Sequence, residues 1–236
     1  MHRRTGMPPW LSQVAVEQNG VVIRSQAQRS GLSRHAIDRF RHAGDWQLLA
    51  PGVYLTQPGT VPWMSRAWAG VLLGGSESAL AYRSAAVLLG LAEGEPLPIH
   101  VLVPHRTRLI DRPWVRFQRQ RDGIRLSSAA ARPARTRIED TVIDLCAAGE
   151  PAEVISWITK AVQRRLTTPA HLLSALRARH AVRHRDLIEQ VLSDAAAGVH
   201  SQLEYRFGRD VAKSHGLPPG QRQFRISATK RVADVG

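Results

Sequence analysis

Two stretches of the chain carry side chains whose types and spacing could do chemistry. The first is Ser33 to Ala43, SRHAIDRFRHA. At 100° per residue, Ser33, Ala36, Ile37, Phe40 and Ala43 fall on one side of a helix, and Arg34, His35, Asp38, Arg39, Arg41 and His42 on the other. An apolar back fixes such a helix, and a basic front of this length can enter a DNA major groove, where arginine meets guanine edges or phosphates. The first residues of a groove-reading helix reach the bases, so Arg34, His35 and Asp38 are the reading candidates. Arg39 and Arg41, with His42 beside them, suit phosphates. The competing reading is a solvated charged face, which most surface helices have. The second stretch holds Glu139, Asp140 and Asp144, the last two four apart on one helix face. Carboxylates so placed could bind a metal or move a proton, but Arg132, Arg135 and Arg137 lie close in sequence and make ion pairing the simpler reading.

The elements around the first stretch must position it. Residues 8–19 read as a helix, with Pro8 and Pro9 in its first turn and Asn19-Gly20 at its end. Val21 to Ile23 is a short extended piece. Ser25 reads as the N-cap of a helix over Gln26 to Ser30, stopped by Gly31. Ser33 caps the next helix, which Gly44 ends. Trp46 to Leu49 and Val53 to Thr56 then read as strands joined by Ala50-Pro51-Gly52. Three short helices followed by a hairpin make a winged helix-turn-helix pattern. In that frame Ser25, Gln26 and Ser33, which open the second and third helices, join the DNA-facing set. The hairpin tip near Pro51 to Tyr54 is expected to touch the DNA backbone or minor groove, which adds Tyr54.

Beyond residue 60 the pattern mixes helix and strand. Two apolar helices are expected over 63–91, strands over Ile99 to Val103 and Trp114 to Phe117, an amphipathic helix over Ile138 to Ala148, and three helical stretches over 151–197. A helix over Ser201 to Ser214 and strands over Phe224 to Ser227 and Arg231 to Val235 follow. Between His105 and Arg125 arginines crowd around Trp114 and Phe117, either as a second phosphate-binding surface, as a dock for an acidic partner, or as the solvated face of a half-buried strand.

Composition narrows the function classes. The 236 residues are 43% hydrophobic and 22% charged, which is a globular balance. With 33 Lys+Arg against 19 Asp+Glu, the net charge is +14, spread along the chain rather than gathered in a tail. Such a field attracts nucleic acid non-specifically and makes binding salt-dependent. The single cysteine, Cys146, excludes an internal disulfide framework and reads as a buried thiol in an apolar helix. No pair among the ten histidines shows zinc-site spacing with a companion ligand, and His180 and His184 read as a solvated helix end. Ser84 lacks the frame of a hydrolase nucleophile, and no phosphate-binding P-loop occurs. Apolar runs fall short of a membrane span, and no secretory leader is evident, so no membrane partner and a cytoplasmic, nucleoid-associated location are expected.

The residues NGVVIRSQAQRSGLSRHAIDRFRHAGDWQLLAPGVYL (19–55) resemble the N-terminal winged-helix domain of AbiEi-family antitoxins. ALAYRSAAVLLGL (79–91) and ARTRIEDTVIDLCAA (134–148) resemble two following segments in that family's second, α/β domain. The resemblance implies a transcriptional regulator that binds double-stranded DNA at its own promoter. In complete systems it also implies neutralisation of a nucleotidyltransferase-type toxin protein. Residues 200–236 resemble the start of a PD-(D/E)XK nuclease-like domain of the very-short-patch-repair type, with Glu204 and Asp234 matching its first two acidic positions. The E-X-K or E-X-D element of that pattern is not in this sequence. Hard cations need several oxygen ligands, and hydrolysis needs a positioned base or second metal, so no nuclease activity is expected from the chain as it stands.

The expectation is therefore an α/β (α+β) protein: a winged helix-turn-helix over 1–60, an α/β and helical domain over 61–198, and an incomplete nuclease-like segment over 199–236. It is expected to act as a sequence-specific DNA-binding regulator, not an enzyme, with no cofactor and no metal. The alternatives are a fragment of a Mg-dependent DNA endonuclease and an antitoxin acting mainly by protein contact.

Overall fold

A computed structural model describes residues 6–120, 125, 127–128, 130–197, 224–226 and 231–233. The helix expected over Ser201 to Ser214, and Glu204 and Asp234 with it, lie outside the described residues. The fold is mixed α/β. The chain forms two compact units, residues 1–85 with 94–137, and residues 86–93 with 138–236. The cut expected at residue 60 runs through the first of these.

The first unit begins with α1 (Pro9–Glu17), β1 (Val21–Ile23), α2 (Arg24–Arg29), α3 (Arg34–His42), β2 (Gln47–Ala50) and β3 (Val53–Leu55). The strands pair antiparallel in the order β1-β3-β2, which is the topology of a winged helix. Alternation along the strands sends successive side chains to opposite faces. Val22 and Tyr54 join Leu11, Ala15, Ala27, Leu32, Ile37 and Trp46 in a core beneath the three helices. Val21, Val53 and Leu55 point the other way, into a core with Trp68 and Ala69. Those two residues belong to α4 (Trp63–Gly74), so the small sheet is buried on both faces. The Ser65 hydroxyl also donates to the Asn19 carbonyl at 2.7 Å, tying α4 to the turn between α1 and β1. This is why residue 60 marks no boundary: residues 61–74 complete the hydrophobic core of the winged helix.

The same helix covers a second sheet. Its strands are β4 (Ala79–Leu80), β5 (Ile99–Pro104), β6 (Val115–Gln120), β7 (Ser127–Ser128) and β8 (Arg135–Thr136), in the order β6-β5-β4-β8-β7. β5 runs parallel to β6 and antiparallel to β4, and β4 is parallel to β8. Gly70 makes the close approach possible, because a Cβ there would stand 3.0 Å from Val101 Cγ2. Ser84, at the start of α5 (Tyr82–Leu88), is buried and accepts the His100 amide at 3.0 Å, a structural use of its hydroxyl.

The second unit is helical, with α6 (Ile138–Ala148), α7 (Pro151–Gln163), α8 (Pro169–Arg177) and α9 (Arg185–Ala196). The strands β9 (Phe224–Ile226) and β10 (Arg231–Ala233) pair antiparallel with each other. α6 is buried along most of its length, from Asp140 to Cys146. Burial pushes the Cys146 thiol well above its usual range, with Glu153 adding to the shift. Asp140 and Asp144 are buried because Arg179, in the link between α8 and α9, reaches them. Its guanidinium donates to Asp140 Oδ1 at 2.6 Å and Asp144 Oδ1 at 2.7 Å, and again to the Asp140 carbonyl at 3.2 Å. Burial works against the charge on Arg179, but the carboxylates of Asp144 and Asp140 outweigh it and hold its pKa above the usual value. The third acidic residue, Glu139, accepts the Thr167 hydroxyl at 2.7 Å. The expected ion pairing of this cluster thus runs to an arginine 35 residues beyond Asp144. His180 is exposed in the same link, and His184 stands at the helix end expected of it, as the N-cap of α9 with a left-handed backbone at φ 62°.

Among the described residues no group of three or more His, Cys, Asp or Glu side chains could hold a metal ion, and no helix is long and apolar enough to cross a membrane. Removing one member of a buried ion pair leaves the remaining charges unpaired, a loss of about 3–5 kcal/mol. Arg179→Met is expected to destabilise the protein by that amount in urea unfolding. Adding Asp140→Asn and Asp144→Asn to it should recover part of the loss.

Candidate nucleic-acid interface

The third helix has the two faces that its sequence suggests. Ser33 is its N-cap, its hydroxyl accepting the Ala36 amide at 3.2 Å. Ala36 and Ile37 are buried and Phe40 is half-buried. The Phe40 ring stacks on Trp46, centroids 4.9 Å apart and planes 10° from parallel, and Trp46 in turn leans on Tyr54 at 5.8 Å. Offset aromatic contacts of this kind stabilise beyond the area they bury. They tie the middle of α3 to the strands of the hairpin. Opposite them, Arg34, His35, Arg39 and His42 are exposed. Asp38 and Arg41 lie between and pair with each other at 3.3 Å, one helical turn apart.

The structure gives two of the expected contact residues, Gln26 and Tyr54, other work, and takes from a third, Ser25, the cap expected of it. Ser25 is exposed but caps nothing. The helix α2 begins two residues earlier, at Arg24, with Ile23 in extended conformation as its N-cap. Gln26 is buried, and its side-chain Oε1 accepts the Ile23 amide at 2.9 Å. A backbone donor at the helix start would otherwise be unpaired, so this glutamine replaces the serine cap expected there. Tyr54 is only 1% exposed. It follows Val53 in β3, so alternation turns its ring into the three-helix core rather than to the wing tip. Of the tip, Pro51 is exposed and Gly52 half-buried. Gly52 has φ 78°, which suits the second position of a tight turn led by proline.

One exposed cation absent from the expected set belongs to this surface. The backbone amide of Arg24 donates to the Gly52 carbonyl at 2.8 Å. Its guanidinium donates to the Tyr54 hydroxyl through Nε at 3.3 Å and Nη2 at 3.1 Å. That hydrogen bond first, and the nearby Asp38 carboxylate as well, hold its pKa above the usual arginine value. The sequence signal was weak: an arginine directly after a strand, 30 residues from the tyrosine that orients it.

Elsewhere on this unit, Arg116 and Arg119 stand exposed on β6, an edge strand of its sheet. Phe117, between them, is half-buried and its amide donates to Asp111 at 2.9 Å. Arg106 pairs with Glu77. These arginines are thus those of a half-buried strand and the loop that leads into it.

The Ser33 cap fixes where α3 begins, and so the direction of its basic face. Replacing a capping serine by alanine costs about 1 kcal/mol. Ser33→Ala is expected to lower stability by that much in thermal unfolding followed by circular dichroism. Ser25→Ala should leave it within about 0.5 kcal/mol of the parent, as for a surface site without a partner.

No family model matches the sequence, and no curated protein matches it at a significant level. Among solved structures the chain is similar to the RV2827C protein from Mycobacterium tuberculosis, at 18% sequence identity and a TM-score of 0.52. The similarity covers 82% of this chain and 80% of that one. At such identity the likeness is one of fold, and the mixed α/β architecture is what the two share.

Proposed function

We propose that the chain is a sequence-specific DNA-binding regulator that reads double-stranded DNA at its own promoter through α3. The observation that carries this reading is the construction of α3: an apolar side locked to the hairpin by Phe40, Trp46 and Tyr54, and an exposed side bearing Arg34, His35, Arg39 and His42. A rigid helix with arginines outward is what major-groove reading requires. The net charge of +14 supports the same partner, since it supplies the sequence-independent attraction that precedes base reading. Resemblance of residues 19–55 to the AbiEi winged helix adds to it. That resemblance extends the proposal to promoter autoregulation in the cytoplasm and to contact with a nucleotidyltransferase-type toxin.

In this reading Arg34 and His35 meet base edges. Arg39 meets phosphate, while Asp38 serves the helix by pairing with Arg41. No catalytic role is assigned to the chain.

The test is titration of the protein onto its own upstream DNA and onto a scrambled duplex across a range of salt. Tight binding to the first and weak binding to the second is expected. Arg34→Ala should cost about 1–3 kcal/mol on the upstream duplex and little on the scrambled one. Arg39→Ala should weaken both alike and reduce the salt slope by about one. Equal, weak binding of the parent protein to both duplexes, abolished at physiological salt, would sink the reading.

A further inference from the structure

Resting on that reading, we propose that Arg24 is a preset phosphate contact, held by the Tyr54 hydroxyl between the wing and the recognition helix, that fixes the register of α3 on DNA. Three observations place it there. Its guanidinium donates twice to Tyr54, at 3.3 and 3.1 Å, and Tyr54 is itself buried, 1% exposed and packed on Trp46. Its backbone amide is bonded to Gly52 in the hairpin turn, which ties the start of α2 to the wing. Asp38, which lies on the polar side of α3, is close enough to act on its charge, so the guanidinium shares a surface with the recognition helix.

An exposed arginine normally samples many rotamers, and ordering it on binding costs side-chain entropy. Arg24 is already ordered by a neutral phenol that leaves its charge intact. The guanidinium has five N–H donors, and Tyr54 takes two of them. The remaining donors have the planar fork that matches a phosphate. Such a contact carries no base information, but it sets where α3 sits along the groove. Tyr54 is the positioning residue in this arrangement and Arg24 the one that touches DNA.

Four proteins decide the matter: the parent, Arg24→Gln, Arg24→Lys and Tyr54→Phe, each titrated across salt onto the upstream and scrambled duplexes, with melting followed by circular dichroism. Arg24→Gln should weaken binding to both duplexes by about 3- to 10-fold and lower the salt slope by about one, the signature of a lost phosphate contact. Arg24→Lys keeps the charge and should keep the slope while losing affinity. Tyr54→Phe removes one oxygen and no charge. It should melt as a folded protein, keep the parent's salt slope, and bind both duplexes about 2- to 5-fold more weakly. If the parent binds its upstream DNA selectively while Arg24→Gln has parental affinity and slope, the phosphate contact is overturned and the regulator reading stands. Parental affinity in Tyr54→Phe overturns the positioning role of the tyrosine. A parent that shows no selective binding overturns both this proposal and the reading beneath it.

Discussion

Burial of both faces of the three-stranded sheet is the constraint on which the first unit depends. A two-stranded wing projecting into solvent has little to hold it, because small sheets need a packed face to be stable. Here β1 and β3 send Val22 and Tyr54 to the helices and Val21, Val53 and Leu55 to α4. A one-residue slip in register would exchange these sets, placing a tyrosine against α4 and valines beneath α3. The pairing of Val21 with Leu55 and of Ile23 with Val53 is therefore specified from both sides at once. Because the hairpin cannot shift, Trp46 and Tyr54 cannot shift, and the Phe40 side of α3 inherits a fixed seat. The orientation of the basic face is a consequence of core packing rather than of any polar contact on the surface.

The second unit solves a different problem with charge. α6 is buried on most sides, yet carries two aspartates in its buried stretch. Arg179 satisfies both, at the cost of desolvating three charges, and its Nε remains buried without a hydrogen-bond partner. Buried pairs of this kind contribute less to net stability than apolar packing of similar volume would. Their strength is geometric: a planar guanidinium meeting two carboxylates one helical turn apart accepts only one placement of the α8–α9 link against α6.

What could be read from the residues follows the range of the interactions. The boundaries of α6 agree with its periodicity, and Ser33 caps α3 as its spacing suggests, because those are local effects within one or two turns. The two faces of α3 were legible for the same reason. The two-residue strands β4 and β8 were not, since Ala79-Leu80 and Arg135-Thr136 show no alternation and become strands only by pairing with each other and their neighbours. β4 nonetheless sits at the centre of its sheet. Gln26 and Tyr54 were misplaced because each residue type has a surface use and a core use, and the choice was made by Ile23 and by strand parity. Arg179 was invisible as a partner to Asp140 and Asp144 because nothing in the spacing distinguishes one arginine from another across 35 residues or more.

The acidic residue on the basic face of α3 completes the picture. Three like charges, Arg34, Arg39 and Arg41, lie on one helix of nine residues, where like charges repel. Asp38 pairs with Arg41 at 3.3 Å, and its charge also favours the charged form of Arg24. At this exposed position the pair adds little to stability, on the order of 0–1 kcal/mol, and salt weakens it further. On the proposed reading its effect falls on the state free of DNA instead. By lowering the local positive potential it reduces attraction to any polyanion, while the ordered guanidinium of Arg24 keeps its donors directed. A carboxylate set among arginines thus trades some non-specific affinity for geometry, and specificity is a difference between those two quantities rather than the sum of favourable contacts.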